Sequence, residues 1–137
     1  MAINILRFLI PKSLVEYIYA DSTVRQAIEK MNFHRYTAIP VLDRDGKYIA
    51  TLRNDDIINY IFEHGSFDIG EAENIPVTEI SDERYSKPLP HSASMSELIE
   101  CVKEHNFVPV VDDRGCFIGL ILRREVLGFL QQYLKDK

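Results

Sequence analysis

The chain carries one unit twice, and a repeat of this size restricts the fold more than any composition does. Pro40-Val41-Leu42-Asp43-Arg44-Asp45-Gly46-Lys47-Tyr48-Ile49 lies over Pro109-Val110-Val111-Asp112-Asp113-Arg114-Gly115-Cys116-Phe117-Ile118. Pro40 and Pro109, Gly46 and Gly115, and Ile49 and Ile118 are each 69 residues apart. The register continues through Asp56, Ile57, Ile58, Tyr60 and Ile61, which face Glu125, Val126, Leu127, Phe129 and Leu130. Few positions are identical, but hydrophobic class is kept.

Upstream the agreement persists. Thr23 with Gln26, and Ser94 with Glu97, fit the capping box S/T-x-x-E/Q that opens a helix. Val24, Ala27, Ile28 and Met31 follow the first box; Met95, Leu98, Ile99 and Val102 follow the second. Both sets recur at i, i+3, i+4 and i+7, one buried stripe on an amphipathic helix. Each helix leads to an apolar, β-rich stretch (residues 36–42 and 107–111), an Asp/Gly turn, and a second such stretch (48–52 and 117–122). That pattern is a hairpin whose turn glycine takes φ > 0. A further helix closes each copy, over residues 55–63 and 124–134, with Asn54 as N-cap and Gly65 as stop in the first. Short strands at 15–19 and 87–89 precede the capped helices.

The predicted fold is therefore α/β (α+β): two β-α-β-β-α units. One unit of about 60 residues with a one-faced sheet would be marginal alone, so the two are expected to pack sheet to sheet with pseudo-two-fold symmetry. Residues 1–65 make the first unit with an N-terminal helix, 66–76 a polar, turn-rich connection, and 77–137 the second unit. The N-terminal helix spans residues 3–10, with Ile3, Leu6 and Ile10 on one side. Closed by Pro11, that run is too short to span a bilayer and lacks the small-residue cleavage site of a signal peptide.

Charge and motif content narrow the function. Twenty-one acidic residues against 16 basic ones leave a net charge of -5. That balance argues against a general nucleic-acid or anionic-membrane binder, while leaving room for a small anion held by a local arginine pair. Cys101 and Cys116 form no CxxC and are expected to be reduced thiols of a cytoplasmic protein. His64, His91 and His105 show no metal-ligand spacing with each other or with the cysteines. No GxSxG, HExxH, Walker or GxGxxG motif occurs. The expectation is a chain that is not an enzyme and carries no metal or cofactor.

Several residues have a binding reading beside an ordinary one. Arg123 and Arg124 stand at a helix N-terminus, where cations are unfavourable unless an anion is also present. Backbone N–H groups there, with two guanidinium forks, would hold a phosphate; a solvated pair or a salt bridge to Glu125 fits them equally well. Tyr17, Tyr36 and Ile39 can wall a flat apolar slot with the Thr37 hydroxyl at its edge, or be ordinary half-buried strand residues. Asp55 and Asp56 complement a helix dipole, as do His34 and Arg35 at the opposite end of another helix.

Taken together, the tandem units with Tyr36-Thr37-Ala38-Ile39-Pro40-Val41-Leu42-Asp43 and Phe107-Val108-Pro109-Val110-Val111-Asp112 resemble a stand-alone pair of CBS (cystathionine β-synthase) domains over nearly the whole chain. The Tyr36–Pro40 stretch and the adjacent Arg123-Arg124 are similar to those of small bacterial CBS-pair proteins that bind cyclic di-AMP. The resemblance implies adenine-nucleotide binding in two clefts, each drawing base-binding strands from one domain and a helix start from the other. It assigns Val15, Glu16, Tyr17, Tyr36, Thr37, Ala38, Ile39 and Pro40, with Arg123 and Arg124, to the first. To the second it assigns Lys87, Phe107, Val108 and Pro109, with Ser86 and Asn106 beside them and Arg53 and Asp56 opposite. The family's T/S-x-x-D helix start is altered in both copies: Arg53 precedes Asp56, and Leu122 precedes Glu125. The implied function is a regulatory sensor of cyclic di-AMP, AMP, ADP or ATP, homodimeric and acting on an unknown regulated protein. The competing reading is a constitutive dimerisation module with empty clefts.

Overall fold

The computed structural model describes residues 3–65, 69–81 and 87–136, Ile69 by its backbone only. In chain order the strands and α-helices are β1 (Ile10–Pro11), β2 (Ile18–Tyr19), α1 (Val24–His34), β3 (Ala38–Leu42), β4 (Tyr48–Arg53), α2 (Asn54–His64) and α3 (Ile69–Ala72), then β5 (Leu89–Pro90), α4 (Met95–Glu104), β6 (Phe107–Val111), β7 (Phe117–Leu122) and α5 (Arg123–Lys135). The chain divides into two compact units, a first from Glu16–Lys87 and a second from Met1–Val15 with Pro88–Lys137.

In the first unit β3 is central, parallel to β2 and antiparallel to β4. Helix α1 starts where both halves of the capping box form: the Gln26 N–H donates to Thr23 Oγ1, and the Thr23 N–H to Gln26 Oε1. Its stripe delivers Ala27 and Met31 to a core with Ile18, Ile39, Val41, Leu52 and Val77. Arg35 ends the helix in the left-handed region at φ 58°, turning the chain so that the Tyr36 N–H bonds the Met31 carbonyl.

The second unit repeats this plan with an added edge strand, in the order β1-β7-β6-β5. Ser94 caps α4 by accepting from the Glu97 N–H; the Glu97 carboxylate answers the serine hydroxyl at 3.4 Å rather than its backbone. Leu98 and Val102 join Ile5, Leu89, Val108, Val110, Ile121 and Val126 in the core. The two hairpins match in detail. Gly46 and Gly115 take φ of 89° and 82°. Asp43 Oδ1 accepts from the N–H groups of Asp45 and Lys47, as Asp112 Oδ1 does from Arg114 and Cys116, all at 2.9 Å.

Four expectations need correction. The N-terminal segment belongs with the second unit, and it is a 3-10 turn over Ile5–Phe8 rather than a helix over 3–10. Ile5 is its core residue, fully buried, while Leu6 is exposed and Ile10 enters β1. Ile10 and Pro11 pair with Leu120 and Gly119, and glycine is required there because a Cβ would collide with the Ile10 carbonyl oxygen. Secondly, the connection is not merely polar linker. Ala72 and Ile75 are buried against Val24, whose N–H donates to the Ile75 carbonyl at 2.8 Å. Residues 66–68 of that stretch lie outside the described residues. Thirdly, the N-cap of α2 is Arg53, one residue before Asn54, because the Asp56 carboxylate reaches back to the Arg53 N–H at 2.8 Å. Finally, the strand expected at 15–19 is only Ile18–Tyr19, and that at 87–89 is Leu89–Pro90.

Candidate functional site

Both units finish their central hairpin alike. The Thr37 carbonyl accepts the Asn54 N–H at 2.9 Å, and the Asn106 carbonyl accepts the Arg123 N–H at 2.8 Å. Each bond fixes the first residue of a helix, α2 or α5, beside the residue that precedes β3 or β6. An exposed polar side chain, Thr37 or Asn106, therefore stands next to a helix N-terminus. Half-buried Ala38 and Phe107 follow, and then buried Ile39-Pro40 and Val108-Pro109. Ile39 and Val108 are core residues at 0% and 2% exposure. Ile39 is thus no open apolar wall, and these two residues have backbone rather than side chain to offer a ligand.

In the first unit the strand pairing sets Ala38 opposite Arg53, and Asp56 lies one turn into α2. Asp56 is 9% exposed, so its role as acceptor for the Arg53 N–H is a structural one already; a carboxylate retains further lone pairs for another donor. Tyr17 is half-buried with its ring edge-on to Tyr19 at 5.8 Å. A hydrogen bond with Tyr19, then burial, pushes the pKa of its phenol above the ordinary value.

Near the same strand end, Glu16 is gripped by two residues of α1. Lys30 Nζ lies 3.0 Å from Glu16 Oε2 and donates to the Tyr17 carbonyl at 2.8 Å, and His34 Nε2 lies 3.6 Å from Glu16 Oε1. The His34 ring stacks on that of Tyr36. Lys30 went unremarked in the sequence; the available signal was its i,i+4 spacing from His34 on one helix face.

In the second unit the arginine pair divides. Arg123 turns back, and its Nε–H donates to the carbonyls of Val102 and His105 at 2.7 and 3.1 Å, closing the C-terminal end of α4. Arg124 is out in solvent, its side chain 81% exposed and 3.8 Å from the Glu125 carboxylate. Two equivalent phosphate forks are therefore not what the fold presents: one guanidinium is engaged by a helix end and the other is open. Val15 is half-buried at the close of a 3-10 turn in this unit, one residue before the first unit begins; Lys87 is exposed at that unit's other limit. Ser86 lies outside the described residues. The structure thus gathers Glu16, Tyr17, Tyr36–Pro40, Arg53 and Asp56 in the first unit, and Phe107, Val108, Pro109, Arg123 and Arg124 in the second.

A family model for the CBS domain matches residues 10–63 and again 75–132. The chain belongs to the CBS domain family. The cyclic di-AMP receptor B of Bacillus subtilis (strain 168) is 26% identical over 135 residues, covering 95% of this chain and 88% of the receptor. An uncharacterised protein of Methanocaldococcus jannaschii is 28% identical over 142 residues, and this chain spans 50% of that relative's length. Among solved structures, the Listeria monocytogenes CbpB protein in complex with c-di-AMP superposes with a TM-score of 0.86, covering 98% of this chain and 100% of the other at 20% identity. That likeness shows the CBS-pair fold. Among the described residues no helix is long and apolar enough to cross a membrane, and no three His, Cys, Asp or Glu residues cluster as metal ligands.

Proposed function

We propose that the chain is a non-catalytic sensor that binds an adenine nucleotide and passes its occupancy to a partner protein in the cytoplasm. The observation that carries this reading is the paired strand end: Thr37 and Asn106, each exposed and locked through its carbonyl to a helix start. An exposed hydroxyl or amide at a strand end suits the rim of a purine. Free N–H groups of a helix start suit phosphate. The likeness to a cyclic di-AMP receptor favours the same ligand class here. The exposed Arg124 favours a phosphate-rich ligand such as cyclic di-AMP, and Asp56 with Arg53 favours AMP, ADP or ATP with free ribose hydroxyls.

Thermal melting against a panel of these nucleotides tests the proposal, because a ligand bound only by the folded state raises the melting point. Ala38→Leu is the discriminating variant. Residue 38 is half-buried at a strand start and is not a member of either core, and leucine there would fill the proposed place of the base. Binding should vanish while the ligand-free melting point stays; unchanged binding would put the base elsewhere. Exposed apolar residues on α2 and α5 favour a second reading, a constitutive dimerisation module, for which no nucleotide would shift the melting point.

A further inference from the structure

We propose that Lys30 is a positioning residue for nucleotide binding by the first unit, holding Glu16-Tyr17 in place beside the strand that receives adenine. This rests on the reading of the chain as an adenine-nucleotide sensor and adds to that site a side chain from α1. Glu16 and Tyr17 lead into β2 but are not part of its ladder, which pairs only Ile18 with Val41 and Tyr19 with Leu42. The reason lies in β3. Its Leu42 carbonyl faces β2 and accepts the Ala20 N–H at 2.7 Å. Pro40 stands two residues back on the same edge and has no N–H with which to carry the ladder further. Whatever holds Glu16-Tyr17 beside β3 has to come from outside the sheet.

Lys30 supplies that hold. Its Nζ donates to the Tyr17 carbonyl at 2.8 Å, a part-buried bond, and lies 3.0 Å from Glu16 Oε2. The same ammonium stands 6.0 Å from the centre of the Tyr17 ring. One cation thus engages a backbone carbonyl, a carboxylate and an aromatic ring on two adjacent residues. The second copy shows that the fold does not require it. Aligned on the caps Thr23 and Ser94, the repeat sets Cys101 against Lys30 and Lys87-Pro88 against Glu16-Tyr17. There β5 and α4 form with a thiol where the first unit has an ammonium. The lysine therefore answers to what Glu16 and Tyr17 do rather than to the packing of the repeat. With these partners engaged, it acts on a bound nucleotide through Tyr17 and not by meeting phosphate.

The test is calorimetric titration of the full chain with cyclic di-AMP, AMP and adenosine, for wild type, Lys30→Met, Lys30→Arg and Glu16→Gln. Melting curves of the ligand-free proteins show that each is folded. Methionine keeps an unbranched apolar stem and removes the ammonium. It should weaken every ligand that wild type binds, adenosine included, by about tenfold, the worth of one hydrogen bond from a charged group. Lys30→Arg can donate to the same carbonyl and carboxylate and should stay within about threefold of wild type. Glu16→Gln should weaken binding by about threefold, the scale of a half-exposed ion pair. Three results overturn the proposal alone: Lys30→Met binding as tightly as wild type, Lys30→Arg losing as much as Lys30→Met, or a loss confined to the phosphate-bearing ligands while adenosine binds as before. If Lys30→Met does not fold, Glu16→Gln decides. A lysine that met phosphate would be freed by that change, so unchanged or tighter binding overturns the proposal. Wild type that binds none of the three ligands overturns the sensor reading and the proposal together.

Discussion

Two neighbouring arginines show how far residue type alone can be read. Their placement at a helix start was legible, because the repeat aligns them with Asn54 and Asp55 at the start of α2. Their division of labour was not. Arg123 finds the carbonyls of Val102 and His105, 21 and 18 residues earlier in the chain, and only the packed fold brings those within reach. Losing hydrogen bonds from a charged group costs about 1.5–3 kcal/mol in general, and partial exposure puts Arg123 at the lower end. Arg123→Ala should therefore lower the melting point by about 5 °C, with lost affinity as a secondary effect. Arg124→Ala should leave the melting curve unchanged and weaken a phosphate-rich ligand about tenfold or more, since one charge-assisted contact disappears. Melting curves and calorimetric titrations of the two single variants check this; equal losses of stability would contradict the division.

At the scale of elements, the features written in local sequence appear as expected. The capping box of α1, the serine cap of α4 (where only half of the box forms), the apolar stripes of both helices and the two Asp/Gly hairpins all follow from residues within a turn or two of one another. What escaped were pairings between distant segments. The two-residue strand β1 has no periodicity to reveal it, and its partner site is marked only by Gly119, where the backbone of Ile10 approaches too closely for a side chain. Likewise Ala72 and Ile75 look like linker residues until Val24 is seen packed against them. The second hairpin also carries a pH signature. Asp112 holds its carboxyl below the ordinary value of 3.8, because the N–H groups of Cys116 and Arg114 donate to the ionised form. A carboxyl lowered on folding stabilises the native state above its unfolded value, and that contribution is lost as pH falls through the folded one. Asp112→Asn keeps an acceptor oxygen but not the charge. It should melt below wild type at pH 7, with the gap closing as the pH is taken below 3.8; a gap independent of pH would mean that the charge contributes nothing.

For the molecule as a whole, the apolar surface left on two helices has to be accounted for. Six residues, Tyr60, Ile61, Phe62, Phe129, Leu130 and Tyr133, are candidates from sequence for a contact between two copies. The structure turns three of them partly inward. Tyr60 stacks on His64, Phe129 packs edge-on to Phe8 beneath Arg7, and Leu130 leans on the core of the second unit. The surface is carried instead by Ile58, Ile61 and Phe62 on α2 and by Leu127, Tyr133 and Leu134 on α5, with Phe62 81% and Leu134 71% exposed. Beside α5 a groove of about 430 Å³ opens between Ile3, Met95, Phe129, Leu130 and Tyr133. Exposed apolar side chains clustered on a helix mark an interaction site in a folded protein, and a second copy supplies matching apolar helices by symmetry. The expected mass at micromolar concentration is that of a dimer. Phe62→Glu combined with Leu134→Glu should yield a monomer whose melting point is not lowered beyond the loss of association, because neither side chain is part of a core. Light scattering decides between the cases: a wild-type monomer at that concentration would mean that these helices face a different protein, and a double variant that stays dimeric would move the contact off α2 and α5.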